Sequence, residues 1–296
     1  MTNYEILRGG IGVPELSNPA VIRRILTDAG FSFKKSLGQN FLIDDSVCPE
    51  MAAAATENGE EFALEIGPGI GVLTAELAKN FDSVTAIELD ERLRPVLKKT
   101  LSEFDNTEVV WGDCMKLDLE KLIEERAKGR KTAVCANLPY YITSPIIMML
   151  LEARLPITSI TVMVQKEAAE RLCAEVGSRE SGAVTVAVRY FSEPEILFGV
   201  DRDSFMPAPN VDSAVIRLKI LEKPPIVVAD EKKFFRFVKA AFGQRRKTLT
   251  NSLSSIGGYS KSAVSEVLTK LNLRADVRAE ALDMNSLADI FNALQS

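Results

Sequence analysis

A chain of 296 residues, 46% hydrophobic and 26% charged, has the composition of a soluble globular protein and a length that suggests roughly two domains. It contains no histidine, which excludes Ser-His-Asp and Cys-His nucleophile activation, His-ligated zinc or haem, and imidazole proton shuttling. The net charge of −5 argues against a polyanionic partner for the chain as a whole, yet residues 231–250 carry seven Lys/Arg and one Glu, a local +6 that leaves −11 on the other 276 residues.

The N-terminal ten residues show no basic flank followed by an apolar run, so no signal peptide is expected. Residues 18–31 predict a helix, with Asn18 as N-cap, Pro19 at the first position and Gly30 as terminator. A polar, Gly-containing link follows over 34–46. Strands are then expected at 62–66, 83–87, 107–111, 132–136 and 159–164. Each is followed by a helix: one through Lys79, then 91–103, 118–128, 144–153 and 166–175. This alternation predicts a parallel sheet covered on both faces. Residues 183–191 are ambiguous: β-branched side chains favour a strand, while the length allows a buried helix. Two more strands, 195–200 and 213–221, are joined through the Pro-rich segment 205–209. Pro224-Pro225 marks a linker, and helical stretches fill 230–296, which places a domain boundary near 222 (1–222 and 223–296).

Four scattered cysteines without C-x-x-C spacing argue against a zinc ribbon or a thioredoxin-like site, and no metal site is expected. They suit a reducing cytoplasm. The longest apolar runs, such as 146–151, are far too short to span a membrane.

Between the first strand and its helix lies Glu65-Ile66-Gly67-Pro68-Gly69-Ile70-Gly71. Glycines there let backbone N–H groups approach a ligand, although a tight strand-to-helix turn would use them too. The dinucleotide fingerprint needs a glycine where Val72 stands, which disfavours NAD. Glu88, at the end of the second strand, can accept from both hydroxyls of a ribose. Asp113, after the third, can accept from the amine of an adenine. Each acid alone is more simply a solvated loop residue; together, beside the glycine loop, they describe an adenosine pocket. With no basic residue flanking the loop to take a pyrophosphate, S-adenosylmethionine fits better than NAD or ATP.

Asn137-Leu138-Pro139-Tyr140 falls where the fourth strand leaves the sheet. The Asn137 side-chain oxygen and the Leu138 carbonyl, stiffened by Pro139, can accept two hydrogen bonds from an NH2 group, and Tyr140 offers a flat face to an extruded base. A Pro-terminated strand with core tyrosines is the competing reading. Lys232, Arg236 and Lys239 share one helix face opposite Phe234, Phe237, Val238 and Ala241. This pattern suits a solvated amphipathic helix, or a phosphate-contacting stripe continued by Arg245, Arg246 and Lys247 and extended by Lys34 and Lys35.

Asn-Leu-Pro-Tyr resembles the motif with which amino-methyltransferases present a base amine to S-adenosylmethionine. Four further segments resemble the KsgA/RsmA family, the bacterial small-subunit rRNA adenine dimethyltransferases: Leu37-Gly38-Gln39-Asn40-Phe41-Leu42, residues 164–172 (VQKEAAERL), residues 205–215 (FMPAPNVDSAV) and residues 240–249 (AAFGQRRKTL). The likeness runs from about residue 18 to the C-terminus. It implies an α/β fold: a Rossmann-like methyltransferase sheet of seven strands, the last antiparallel, with helices on both faces, plus a small all-helical C-terminal domain. It assigns 183–191 to a helix. It implies Asn40, Leu42, Gly67, Glu88, Asp113 and Asn137 at the cofactor, Asn137 to Tyr140 as the catalytic segment, and Phe205 as an aromatic that sandwiches the target base, although a Phe before Pro-x-Pro also suits core packing.

The implied activity is dimethylation of two adjacent adenosines in a hairpin loop near the 3′ end of 16S rRNA, within a precursor of the small subunit, by a cytoplasmic monomer. The sulfonium methyl is already electrophilic, so neither metal nor protein nucleophile is required, and alignment can contribute about 7–11 kcal/mol. Three other readings compete. One is a large-subunit rRNA methyltransferase of the antibiotic-resistance type, another a catalytically silent RNA-binding assembly factor, and the third a nucleotide-dependent oxidoreductase.

Overall fold

The computed structural model describes residues 16–30, 40–56, 59 and 61–295. Lys34, Lys35 and the Leu37-Gly38-Gln39 part of the first family segment lie outside the described residues. Helix α1 (Pro19–Asp28) starts as the sequence predicts: the Asn18 side chain accepts the Ala20 N–H at 2.9 Å, and Gly30 follows the helix at φ +63°. Its apolar stripe buries Ile22, Ile25 and Leu26. A two-residue strand β1 (Phe41–Leu42) and helix α2 (Val47–Ala55) lead into the sheet.

The sheet strands are β2 (Phe62–Ile66), β3 (Ser83–Glu88), β4 (Thr107–Trp111), β5 (Thr132–Asn137), β6 (Ser159–Gln165), β7 (Ser192–Val200) and β9 (Ser213–Ile220). Their order is β4-β3-β2-β5-β6-β9-β7. β4, β3, β2, β5 and β6 run parallel, and β9 pairs antiparallel with β6. The intervening helices are α3 (Val72–Asn80), α4 (Arg94–Thr100), α5 (Leu119–Ala127), α6 (Thr143–Glu152) and α7 (Lys166–Cys173). The central strand β2 is buried along its whole length, which is why it carries an apolar run broken only by Glu65. Strand order reverses between β2 and β5, so the carboxyl ends of these two strands open the crevice where open α/β sheets bind ligands. A separate ladder joins β1 to β8 (Phe205–Met206), pairing Phe41 with Met206 and Leu42 with Phe205.

The chain divides into two compact units: residues up to Ala169 with Glu195–Ile220, and Glu170–Pro194 with Leu221–Ser296. A single boundary near 222 therefore misses an earlier excursion over 170–194. The reason is α8 (Ala183–Phe191), a helix despite its valines. It buries Val186, Val188, Tyr190 and Phe191, and tertiary burial outweighs the strand preference of those residues. Tyr190 and Phe191 pack edge-on and stacked against Phe235, and the Tyr190 hydroxyl donates to Glu231 at 2.9 Å. Phe235 and Glu231 belong to α9 (Glu231–Phe242), which packs with α10 (Leu249–Ile256) and α12 (Met284–Gln295); α11 (Lys261–Lys270) lies between those two in the chain. Among the described residues no helix is long and apolar enough to cross a membrane.

Candidate active site

The loop after β2 turns through Gly67 at φ +74° and Gly71 at φ +92°, conformations an L side chain rarely adopts. The two glycines serve different ends. A Cβ on Gly71 would sit 3.1 Å from Leu101 and Thr100, so this glycine lets α3 start close against the end of α4. A Cβ on Gly67 would meet nothing within 4 Å, because Gly67 faces an open cavity. The Gly69 N–H donates to Glu88 Oε2 at 3.2 Å, and the Asp90 N–H donates to Glu88 Oε1 at 2.7 Å. These bonds fix the carboxylate at the end of β3 with 7% of the residue exposed. Burial pushes the Glu88 carboxyl up from its ordinary value, and the donors from Asp90 and Gly69 pull it back. Asp113 accepts the Met115 N–H at 3.0 Å and lies 3.4 Å from Lys116 Nζ, with its side chain partly open to the cavity.

Across the crevice, Asn137 ends β5 and is half-buried. Among the described residues its amide has no hydrogen-bond partner, leaving its oxygen available to accept. The chain turns over Pro139–Ile142, closed by an Ile142 N–H bond to the Pro139 carbonyl at 3.1 Å, and enters α6. The Tyr140 hydroxyl lies 2.6 Å from Ser213 Oγ at the start of β9, and burial raises its pKa. The β1–β8 ladder closes another side. It is extended by an Ile43 N–H bond to the Ser204 carbonyl at 2.8 Å and a Ser204 hydroxyl bond to Asp44 at 3.1 Å.

Buried titratable groups surround this frame. Burial lifts the carboxyl of Glu65, the penultimate residue of β2, to about 8, and its Oε2 has no partner among the described residues. Burial and the neighbouring Asp113 lift the Cys114 thiol of the cavity wall to about 11. It stays protonated at neutral pH, so the wall offers no thiolate nucleophile.

Asn40, Gly67, Glu88, Asp113, Asn137, Leu138, Pro139, Tyr140 and Phe205 thus line one cavity. Leu42 is the exception: it is buried in the β1–β8 ladder, and Asn40 and Phe41 form the wall instead. Phe205 reaches the wall with 3% of its surface exposed, paired with Leu42 in the β1–β8 ladder. Sequence reasoning missed Phe41, Leu89 and Tyr141. Leu89 and Tyr141 each follow directly on a residue it picked, and that adjacency was the available signal. Lys232, Arg236, Lys239, Arg245, Arg246 and Lys247 are all exposed and lie in the helical unit. The Arg245 guanidinium is tied down there, donating to the Arg179 carbonyl at 3.0 Å.

The profile of the family "Ribosomal RNA adenine dimethylase" matches residues 30–296. The chain belongs to the ribosomal RNA adenine dimethylase family. Within this rRNA adenine dimethylase family, it is 47% identical over 284 residues to the ribosomal RNA small subunit methyltransferase A of Geobacillus thermodenitrificans, covering 95% of this chain and 97% of that relative. Among solved structures it is similar to a dimethyladenosine transferase from Plasmodium falciparum, with a TM-score of 0.70, 26% identity, and coverage of 84% of this chain and 95% of the other. It is also similar to the 23S rRNA methyltransferase ErmE, with a TM-score of 0.66, 28% identity and coverage of 86% and 100%. The Rossmann-like methyltransferase fold expected from the sequence is the fold observed, with β9 as the antiparallel strand.

Proposed function

We propose that this rRNA adenine dimethyltransferase transfers methyl groups from S-adenosylmethionine to the exocyclic amines of two adjacent adenosines in the hairpin loop near the 3′ end of 16S rRNA. One observation carries the reading: Asn137 to Tyr140 share a cavity with Gly67, Glu88 and Asp113, and no Lys or Arg appears in its wall among the described residues. Two carboxylates in such a wall, with Lys116 reaching Asp113 from outside it, suit an adenosine joined to a positively charged sulfonium and disfavour a pyrophosphate. Glu88 and Asp113 would hold ribose and adenine, Gly67 would admit the cofactor against bare backbone, and Asn40 would close the pocket.

When bound, S-adenosylmethionine supplies an electrophilic methyl group. The protein's own task is to place an amine. The Asn137 amide oxygen and the Leu138 carbonyl accept from the amine hydrogens and orient its lone pair, while Pro139 holds the turn. Tyr140, anchored at Ser213, gives the base a fixed face. The amine proton passes to solvent, so no imidazole is needed. The exposed cations Lys232, Arg236, Lys239, Arg246 and Lys247, with Arg245, supply RNA phosphate contacts in the helical unit. The substrate is a cytoplasmic small-subunit precursor, acted on by a monomer.

Incubation with labelled S-adenosylmethionine and unmethylated small subunits, read by mass spectrometry, tests this. Dimethyladenosine at two adjacent positions of 16S rRNA is expected; its absence, or its appearance in large-subunit RNA instead, defeats the reading. Asn137→Ala is expected to keep cofactor affinity and lose about 100-fold or more in transfer, the cost of one positioned polar group at a reacting centre.

A further inference from the structure

Four aromatic side chains of the described residues line the cavity: Phe41, Tyr140, Tyr141 and Phe205. Phe41 and Phe205 are buried, and Tyr140 is half-buried with its hydroxyl held by Ser213. Tyr141 differs from all three, with 61% of its surface open to solvent. Its position is nonetheless defined. It sits inside the turn that the Ile142 N–H closes onto the Pro139 carbonyl, which also accepts from Thr143 Oγ1 at 3.2 Å. A large ring is thereby displayed at the cavity mouth, one residue beyond the segment that receives the target base. A base drawn out of its stack leaves its neighbour with one face uncovered, and an exposed aromatic ring can cover such a face without regard to sequence.

We propose that Tyr141 is a substrate-binding residue whose ring stacks on the RNA base adjacent to the one held at Asn137–Tyr140. This rests on the function proposed above, and it adds how the second adenosine of the pair is treated. While one adenine occupies the cavity, the other is parked on Tyr141, so the exchange of the two needs no release of the RNA.

The test is equilibrium binding of a fluorescently labelled hairpin RNA with two adjacent loop adenosines to the full-length protein, with S-adenosylhomocysteine present. Tyr141→Ala is expected to weaken binding about tenfold or more, and Tyr141→Phe to retain it, since the ring and not the hydroxyl makes the contact. Thermal midpoint and S-adenosylhomocysteine affinity are expected to stay at wild-type values. A hairpin with an abasic site in place of the neighbouring adenosine should weaken the wild type by a similar factor and weaken Tyr141→Ala no further. Unchanged affinity in Tyr141→Ala, or independent additive losses from protein and RNA changes, would overturn the assignment. Because the readout is binding, a failure of methyl transfer by the wild type strikes the proposed function separately.

Discussion

The Tyr140 hydroxyl and Ser213 Oγ, 73 residues apart in the chain, stand 2.6 Å from each other. Two family segments, Asn-Leu-Pro-Tyr and Pro-Asn-Val-Asp-Ser, are thus two ends of one contact. Ser213 begins β9 and is almost wholly buried. The bond fixes the outer edge of the ring against the sheet. Ser213→Ala and Tyr140→Phe should each lower stability by about 1 kcal/mol, the usual worth of a neutral hydrogen bond, and cut methyl transfer several-fold while cofactor affinity holds. The double variant should cost little more than either single one. Thermal denaturation and single-turnover assays check this, and additive losses would show the bond to be idle.

Glu88 takes its shape from the loop it serves, through the Gly69 and Asp90 N–H groups. Glu88→Gln should weaken S-adenosylhomocysteine binding about 10- to 100-fold, the range for hydrogen bonds to a charged group. Burial raises the carboxyl, so it takes up a proton at a higher pH than a free glutamate would. Wild-type affinity should therefore fall as pH is lowered, from a point above the ordinary value, and the Gln variant should lack that limb. Calorimetric titration across pH reads both.

Glu65 makes stability depend on pH in the opposite sense from a salt-bridged acid. Its folded value near 8 exceeds the ordinary 4.5, so between those limits the folded state keeps a proton that the unfolded state releases. Stability falls as pH rises through this window, by at most about 1.4 kcal/mol per pH unit, and levels off above it. Glu65→Gln should remove that decline, so the gap in thermal midpoint between variant and wild type should shift steadily in favour of the variant as pH rises. Parallel curves would show that Glu65 ionises normally.

Arg246 and Lys247 are exposed, whereas Arg245 is bonded within its own unit to the Arg179 carbonyl. Replacing Arg246 and Lys247 by Gln should lower RNA affinity and reduce the slope of log affinity against log salt by about 0.7–0.9 for each phosphate no longer neutralised. Cofactor affinity should not move. Adding Arg245→Gln should cost stability as well. An unchanged salt slope would remove this segment from the RNA interface.

The strand-end residues were legible because a parallel sheet brings its carboxyl ends to one edge. Once Glu88, Asp113 and Asn137 were placed after strands, their meeting in one cavity followed from topology. Three features were not legible for physical reasons. The helix at Ala183–Phe191, ambiguous from its own residues and assigned only by the family resemblance, is buried against Phe235, which local propensity does not encode. That Phe41 lines the cavity while Leu42 is buried beside it depends on a two-residue ladder with Phe205 and Met206, far along the chain, which local sequence does not encode. The exposure of Tyr141 depends on the turn that Pro139 starts, which its residue type does not reveal.

The chain enters the helical unit at Glu170, leaves it after Pro194 and returns at Leu221. Two separate stretches of sequence therefore complete one hydrophobic interior. Cutting the protein after Ile220 would strand Tyr190 and Phe191 without Phe234 and Phe235, leaving a sticky aromatic face rather than a trimmed catalytic core. For the same reason, the helical unit cannot be traded between relatives as one cassette: a working chimaera must exchange both stretches together.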